Sequence, residues 1–198
     1  MEDQGLGGRT HGPGVPHDFP GMNLHLVDRN SLLVEAWAEA FKACPEVTVE
    51  QGDLLAVARH CVVSPANSYG FMDGGIDAAY RAFFGAEIER QVQAAIGCRP
   101  EGHLPVGASL VVPTGHPCVL FLIVAPTMVM PEMVESRNCY RAMRAVLRIA
   151  GKHPEVGRDV YCPGLATGVG GVPADLAARE MAQAYIDWKK DHPGVART

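Results

Sequence analysis

The spacing of apolar and polar positions changes period several times along this chain, and each change marks an element. Residues 22 to 28 alternate as a strand does. Residues 31 to 43 then place Leu33, Trp37, Ala40 and Phe41 on one helical face. A short strand is predicted over residues 47 to 50, and a buried one over the apolar run at 61 to 65. The next helix is predicted to begin at Gly75 or Ile76. Gly85 breaks or bends it, and Ile88, Val92 and Ile96 carry the apolar stripe onward. Residues 108 to 112 and 119 to 124 predict two strands about a Gly115-His116-Pro117 turn. Residues 136 to 150 predict a helix with Tyr140, Met143, Leu147 and Ala150 inward. A last strand follows at 160 to 162. The last helix, at 174 to 189, faces Ala177, Met181, Tyr185 and Trp188 inward.

Strands that alternate with helices predict an α/β protein with helices on both sheet faces. In such sheets ligands sit beyond the carboxyl ends of strands. Residues 1 to 20 hold five glycines, three prolines and no periodicity, and read as a disordered tail before a single domain at 21 to 198. A length of 198 residues suits one domain with a substantial core. The net charge of −5 argues against a nucleic-acid surface. No apolar run reaches the ~20 residues of a membrane span, and no signal peptide stands at the start. The six cysteines are scattered and form no Cys-x-x-Cys pair, which points to reduced thiols in the cytoplasm. The eight histidines show no metal-ligand spacing, so neither a metal nor another cofactor is expected.

The chemistry gathers in two loops. The strand at 61 to 65 runs into Asn67, then a loop with Asp73, Gly74, Gly75 and Asp77, then a helix start. Glycines let backbone approach a ligand, and a helix start offers unpaired N–H groups at its positive end. Such a place binds anions, phosphate above all. A second segment of this kind runs from Pro163 to Pro173 and contains Thr167, Gly168, Val169, Gly170 and Gly171. Two facing loops of this sort suit a diphosphate.

In this order the motifs resemble the macro domain, an α/β module that binds ADP-ribose. Gln51-Gly52-Asp53-Leu54 resembles its Gly-Asp-Ile segment, whose acid binds the adenine amino group. Ser64-Pro65-Ala66-Asn67 resembles its Asn-Ala-Ala-Asn strand end, whose last Asn faces the distal ribose. Met72-Asp73-Gly74-Gly75-Ile76-Asp77 resembles its first phosphate loop, and Thr167-Gly168-Val169-Gly170-Gly171 its second. The match covers roughly residues 45 to 190. Asp73 replaces a glycine, Ser64-Pro65 replaces Asn-Ala, and the strand and helix at 22 to 43 suggest a variant subgroup. The resemblance implies a three-layer α-β-α fold with a mixed sheet. It implies ADP-ribose or an ADP-ribosylated macromolecule, protein foremost, as the partner. By the same resemblance Asn67 and Asp77 support catalysis, and Asp73 is a further candidate.

An ADP-ribosyl bond breaks at the anomeric carbon with positive charge developing on the ribose. Two nearby carboxylates can activate water and offset that charge. Asn67 can fix ribose hydroxyls, and Tyr69 and Phe71 can wall the ribose off. Asp77, in a first helical turn, is expected to stay ionised and to orient water. Plainer roles remain open. Asp73 and Asp53 suit turns, Asp77 suits the helix dipole, Asn67 can cap a strand end, and Tyr69 and Phe71 can be core residues. Three rivals to hydrolysis of a modified macromolecule also stay open. One is a non-catalytic ADP-ribose reader. Another is an enzyme for a free derivative such as O-acetyl-ADP-ribose or ADP-ribose 1″-phosphate. The third is an unrelated nucleotide-binding α/β protein.

Overall fold

The structure is a computed structural model that describes residues 22–192, so the tail expected at 1 to 20 lies outside it. Six strands form the centre: β1 (Asn23–Asp28), β2 (Thr48–Gln51), β3 (His60–Ser64), β4 (Leu110–Pro113), β5 (Val119–Val124) and β6 (Asp159–Cys162). They lie in the order β2-β1-β6-β3-β5-β4. All neighbours are parallel except β4, which runs antiparallel to β5 at the edge. Pro113 ends that edge strand, where a missing N–H costs no ladder bond.

Strand alternation sorts the core into two layers. Leu24, Leu26, Cys61, Val63, Ile123, Val160 and Cys162 face one side. There they meet α1 (Ser31–Ala40), α5 (Arg137–Lys152) and α7 (Ala174–Asp191). Trp37 and Trp188 are buried in this layer, and both belong to the core as expected. Val27, Val62, Leu122 and Val124 face the other side, against Tyr80 of α3 (Gly75–Phe84) and Ile88, Val92 and Ile96 of α4 (Glu87–Gly97). The result is a three-layer α/β/α fold with a mixed sheet. Burial on both faces explains why β3 and β5 read as apolar runs. Toward β1 and β2 the second layer thins. His25 there stacks on Tyr161 at 4.4 Å, and its ring bonds Thr48 at 2.6 Å.

Gly85 sits at φ +91 between α3 and α4 and makes the break that the pattern predicts. Two short helices were not visible in the periodicity, α2 (Leu54–Val57) and α6 (Pro154–Gly157). Each is a single turn, too short to show a 3.6-residue stripe. The first α2 turn is held by Asp53, whose Oδ1 accepts the Leu55 N–H at 3.1 Å. No helix among the described residues is long and apolar enough to cross a membrane.

Candidate functional site

The parallel strands β1, β2, β3, β5 and β6 send their carboxyl ends to one edge of the sheet, and a cleft of about 560 Å³ opens there. Both glycine loops line it, together with Asp53 and Leu54. Of the residues singled out from the sequence, the cleft brings together Asn67, Phe71, Asp73, Gly74, Gly75, Ile76 and Asp77 from the first loop. Thr167, Gly168, Val169 and Gly170 join them from the second.

Tyr69 and Gly171 stand outside the residues that line the cleft. The exposed Tyr69 ring lies 6.2 Å from that of His103 and 6.4 Å from that of Phe71, which does line the cleft. Gly70 turns the chain there at φ +73 and packs against α4, where an added Cβ would stand 2.7 Å from Val92 Cγ1. Gly171, at φ +65, closes the second loop by donating its N–H to the Gly168 carbonyl at 3.0 Å, and it too lies outside the cleft wall.

Asn67 is the organiser of the first loop. Its Oδ1 accepts the N–H groups of Tyr69 at 3.1 Å and Phe71 at 3.2 Å, and its Nδ2 donates to the Phe71 carbonyl at 2.8 Å. The expected free ribose-binding amide is therefore mostly committed to its own loop, with one N–H left over. Further along, the Met72 N–H donates to Glu89 Oε1 at 2.9 Å, and Arg81 holds the other Glu89 oxygen at 2.8 Å. This anchor fixes the chain one residue before Asp73. Gly74 precedes α3 and supplies no capping side chain, so the first N–H groups of α3 stay available at the cleft. Gly75 holds φ +56, a conformation that disfavours any other residue.

The two acids differ in setting. Asp73 is exposed on the loop, whereas Asp77 is 7% exposed and accepts a 2.6 Å bond from Ser64 Oγ. Burial pushes the Asp77 carboxyl up to about 7, and the Ser64 bond offsets only part of that. Desolvation thus works against the helix dipole, an effect of ~1 kcal/mol, and the carboxyl is not held fully ionised near neutral pH as the first-turn position alone predicts.

On the opposite side of the cleft, Arg29 Nη2 binds Asp53 Oδ2 at 2.7 Å. This bond holds the Asp53 carboxyl below its usual range. Arg29 belongs to a polar run, Asp28-Arg29-Asn30, that lines the cleft at the end of β1 and was not singled out from the sequence. Asp28 joins two elements: Oδ2 accepts the Gly164 N–H at 3.1 Å and Oδ1 the Asn30 N–H at 2.9 Å. Asn30 in turn caps α1 through Leu32 N at 3.1 Å. The signal was present, since the run repeats the strand, polar loop and helix order of the other two loops. Thr127, which follows β5, also lines the cleft and donates to the Pro65 carbonyl at 3.1 Å.

In the second loop Ala166 holds φ +59 without being glycine, a cost of ~1 kcal/mol that the surrounding packing sustains. A Cβ added at Gly170 would lie 2.6 Å from the Ala166 carbonyl oxygen, whereas one at Gly168 would meet nothing within 4 Å. Gly170 therefore serves the loop's own packing, and Gly168 faces open space. Among the described residues, no group of three His, Cys, Asp or Glu side chains converges as a metal site does.

A family model described as the macro domain matches residues 63–181. An uncharacterised protein of Aquifex aeolicus is 38% identical over 139 residues, which span 70% of this chain and 79% of that one. A macro domain-containing protein of Listeria monocytogenes is 26% identical over 74% of this chain and 82% of its own. Among solved structures, the macrodomain of Mycobacterium tuberculosis DarG matches with a TM-score of 0.59 at 21% identity, over 74% of this chain and 91% of that chain. A mutant of the Oceanobacillus iheyensis macrodomain, solved with ADPR, matches with a TM-score of 0.59 at 21% identity, over 69% of this chain and 74% of that chain.

Proposed function

This chain belongs to the macro domain family, and on that premise we propose that its cleft binds ADP-ribose and hydrolyses ADP-ribosyl linkages on a modified macromolecule. The carrying observation is that an acid-bearing segment and two glycine loops meet on one cleft of about 560 Å³, a volume in the small-ligand range. The ADPR held by the Oceanobacillus iheyensis macrodomain supports the same choice of ligand here. In this reading Asp53 accepts the adenine amino group. The α3 N-terminus with Gly74 and Gly75 takes one phosphate, and the loop from Thr167 to Gly170 takes the other. The distal ribose lies against Phe71 and the spare N–H of Asn67, beside Asp73 and Asp77.

The chemistry follows from the unlike settings of the two acids. A carboxyl near pH 7 that is half protonated suits a proton donor, and an exposed one suits water. Asp73 orients the water and accepts its proton as the oxygen bonds the anomeric carbon. The bond from that carbon to the acceptor breaks, and Asp77 gives its proton to the departing atom. Solvent then restores both acids. Water is the one co-substrate this scheme uses. A cytoplasmic setting suits it, since the thiols stay reduced there.

The test is release of ADP-ribose from arginine-, glutamate- and serine-modified protein. Asp73→Ala and Asp77→Ala should each slow release by ~10²-fold or more while binding changes much less. A wild type that binds ADP-ribose yet releases none from any of the three is a reader, and the hydrolase reading then fails.

A further inference from the structure

Of the ten large apolar side chains exposed among the described residues, six stand on the three loops that follow β3, β5 and β6 beside the cleft. Met133 is 81% exposed, and Tyr69, Phe71, Val129, Met130 and Val169 are each 41–52% exposed. They are held together rather than scattered. The Ser68 N–H donates to the Val129 carbonyl at 3.1 Å, and Ser68 Oγ to the Met128 carbonyl at 3.3 Å. The Val134 N–H donates to the Gly170 carbonyl at 3.0 Å, and Met133 lies over Gly171. Three loops from β3, β5 and β6 thus share one apolar rim. Single exposed apolar residues need no explanation, but a gathered set beside a cleft marks an interaction surface.

Charge decides what fits. Residues 67 to 73, 128 to 136 and 163 to 171 contain no Lys or Arg, while Asp73, Glu132 and Glu135 are exposed. The next cation along, Arg137, is occupied by Glu180 at 3.3 Å and by the Tyr140 ring at 3.7 Å. A phosphodiester chain needs cations along its path, and this rim offers carboxylates in their place. A polypeptide brings no backbone charge and can bring apolar and basic side chains. We infer that these loops form an apolar, acid-flanked collar that docks the polypeptide segment around an ADP-ribosylated side chain. The inference rests on the ADP-ribose reading of the cleft and adds the class of macromolecule presented to it.

Binding tests it without requiring turnover. Four probes are titrated onto the full chain: free ADP-ribose, a serine-ADP-ribosylated peptide flanked by leucine and lysine, the same peptide flanked by aspartate and serine, and an ADP-ribosylated single-stranded oligonucleotide. The leucine and lysine peptide should bind ~10-fold tighter than free ADP-ribose. The aspartate peptide and the oligonucleotide should bind no tighter than free ADP-ribose. In the Met130→Ser/Met133→Ser double variant the peptide advantage should vanish while free ADP-ribose affinity stays unchanged. An oligonucleotide that outbinds free ADP-ribose, or a peptide advantage that survives the double variant, overturns the collar. So does a wild-type dimer that the double variant converts to monomer, which would assign the rim to a second copy of this chain. Failure of free ADP-ribose itself to bind removes the underlying reading instead.

Discussion

Ser64, at the end of β3, donates a 2.6 Å hydrogen bond to Asp77 in the first turn of α3, so a strand end and a helix start share one buried polar pair. The carboxyl of that pair titrates at about 7 instead of its ordinary 3.8 because burial disfavours its charge. Below both values the folded and unfolded chains hold this proton alike. Between them only the folded chain holds it, so the contribution to stability is present at low pH and is lost as pH rises through about 7. Relative to Asp77→Asn, wild type should therefore lose stability from about pH 4 to pH 7 and then level off. The size is on the order of 1.4 kcal/mol per unit of displacement. Urea midpoints of both proteins across that window measure it. A difference that does not change with pH would mean Asp77 is ionised throughout. The same titration predicts that ADP-ribose release by wild type declines above about pH 7, as the donor loses its proton.

The Arg29–Asp53 pair makes a separate prediction for the adenine end. Asp53→Ala should weaken ADP-ribose binding about 5-fold, near 1 kcal/mol, the lower end for a lost charge-assisted bond because the carboxylate is half exposed. Ribose 5-phosphate affinity should stay unchanged. Equal losses for both ligands would show that Asp53 acts through the α2 cap and not through adenine.

Glycines 168 and 170 should behave differently when changed to valine. At Gly168 the new side chain enters open space on the cleft side, so the fold stays and ADP-ribose binding falls by ~10-fold or more. At Gly170 it strikes the Ala166 backbone, so the melting temperature falls first. Melting curves beside calorimetry separate the two. A folded Gly168→Val protein with unaltered affinity would place the diphosphate elsewhere.

Asn67→Ala should cost stability as well as affinity. It strips two N–H groups and one carbonyl of their partner, a loss of about 2 kcal/mol. Denaturant unfolding measures that loss directly. An unchanged midpoint with weakened ADP-ribose binding would make Asn67 a ligand contact and not a loop organiser.

Much of this arrangement was legible in the sequence because it rests on local rules. Period changes located all six strands and the five longer helices, and glycine spacing marked both loops. What depends on packing between distant segments was not legible. Asp77 reads as a dipole-stabilised first-turn acid until Ser64 and the sheet edge enclose it. Tyr69 reads as a ribose wall, but it stands outside the cleft lining at the rim, with its ring 6.4 Å from Phe71 and 6.2 Å from His103. Asp28-Arg29-Asn30 lies in a segment that periodicity marks as strand and helix, and only sheet order brings β1 beside β6 and its loop.

The central claim is that one cleft spans adenine, diphosphate and distal ribose together, and calorimetric titration of the wild-type chain tests it most directly. ADP-ribose, AMP and ribose 5-phosphate are compared under one buffer. ADP-ribose should bind at least ~10-fold more tightly than either fragment, because it alone engages Asp53 and both glycine loops at once. AMP binding as tightly as ADP-ribose, or no binding of ADP-ribose, would contradict it.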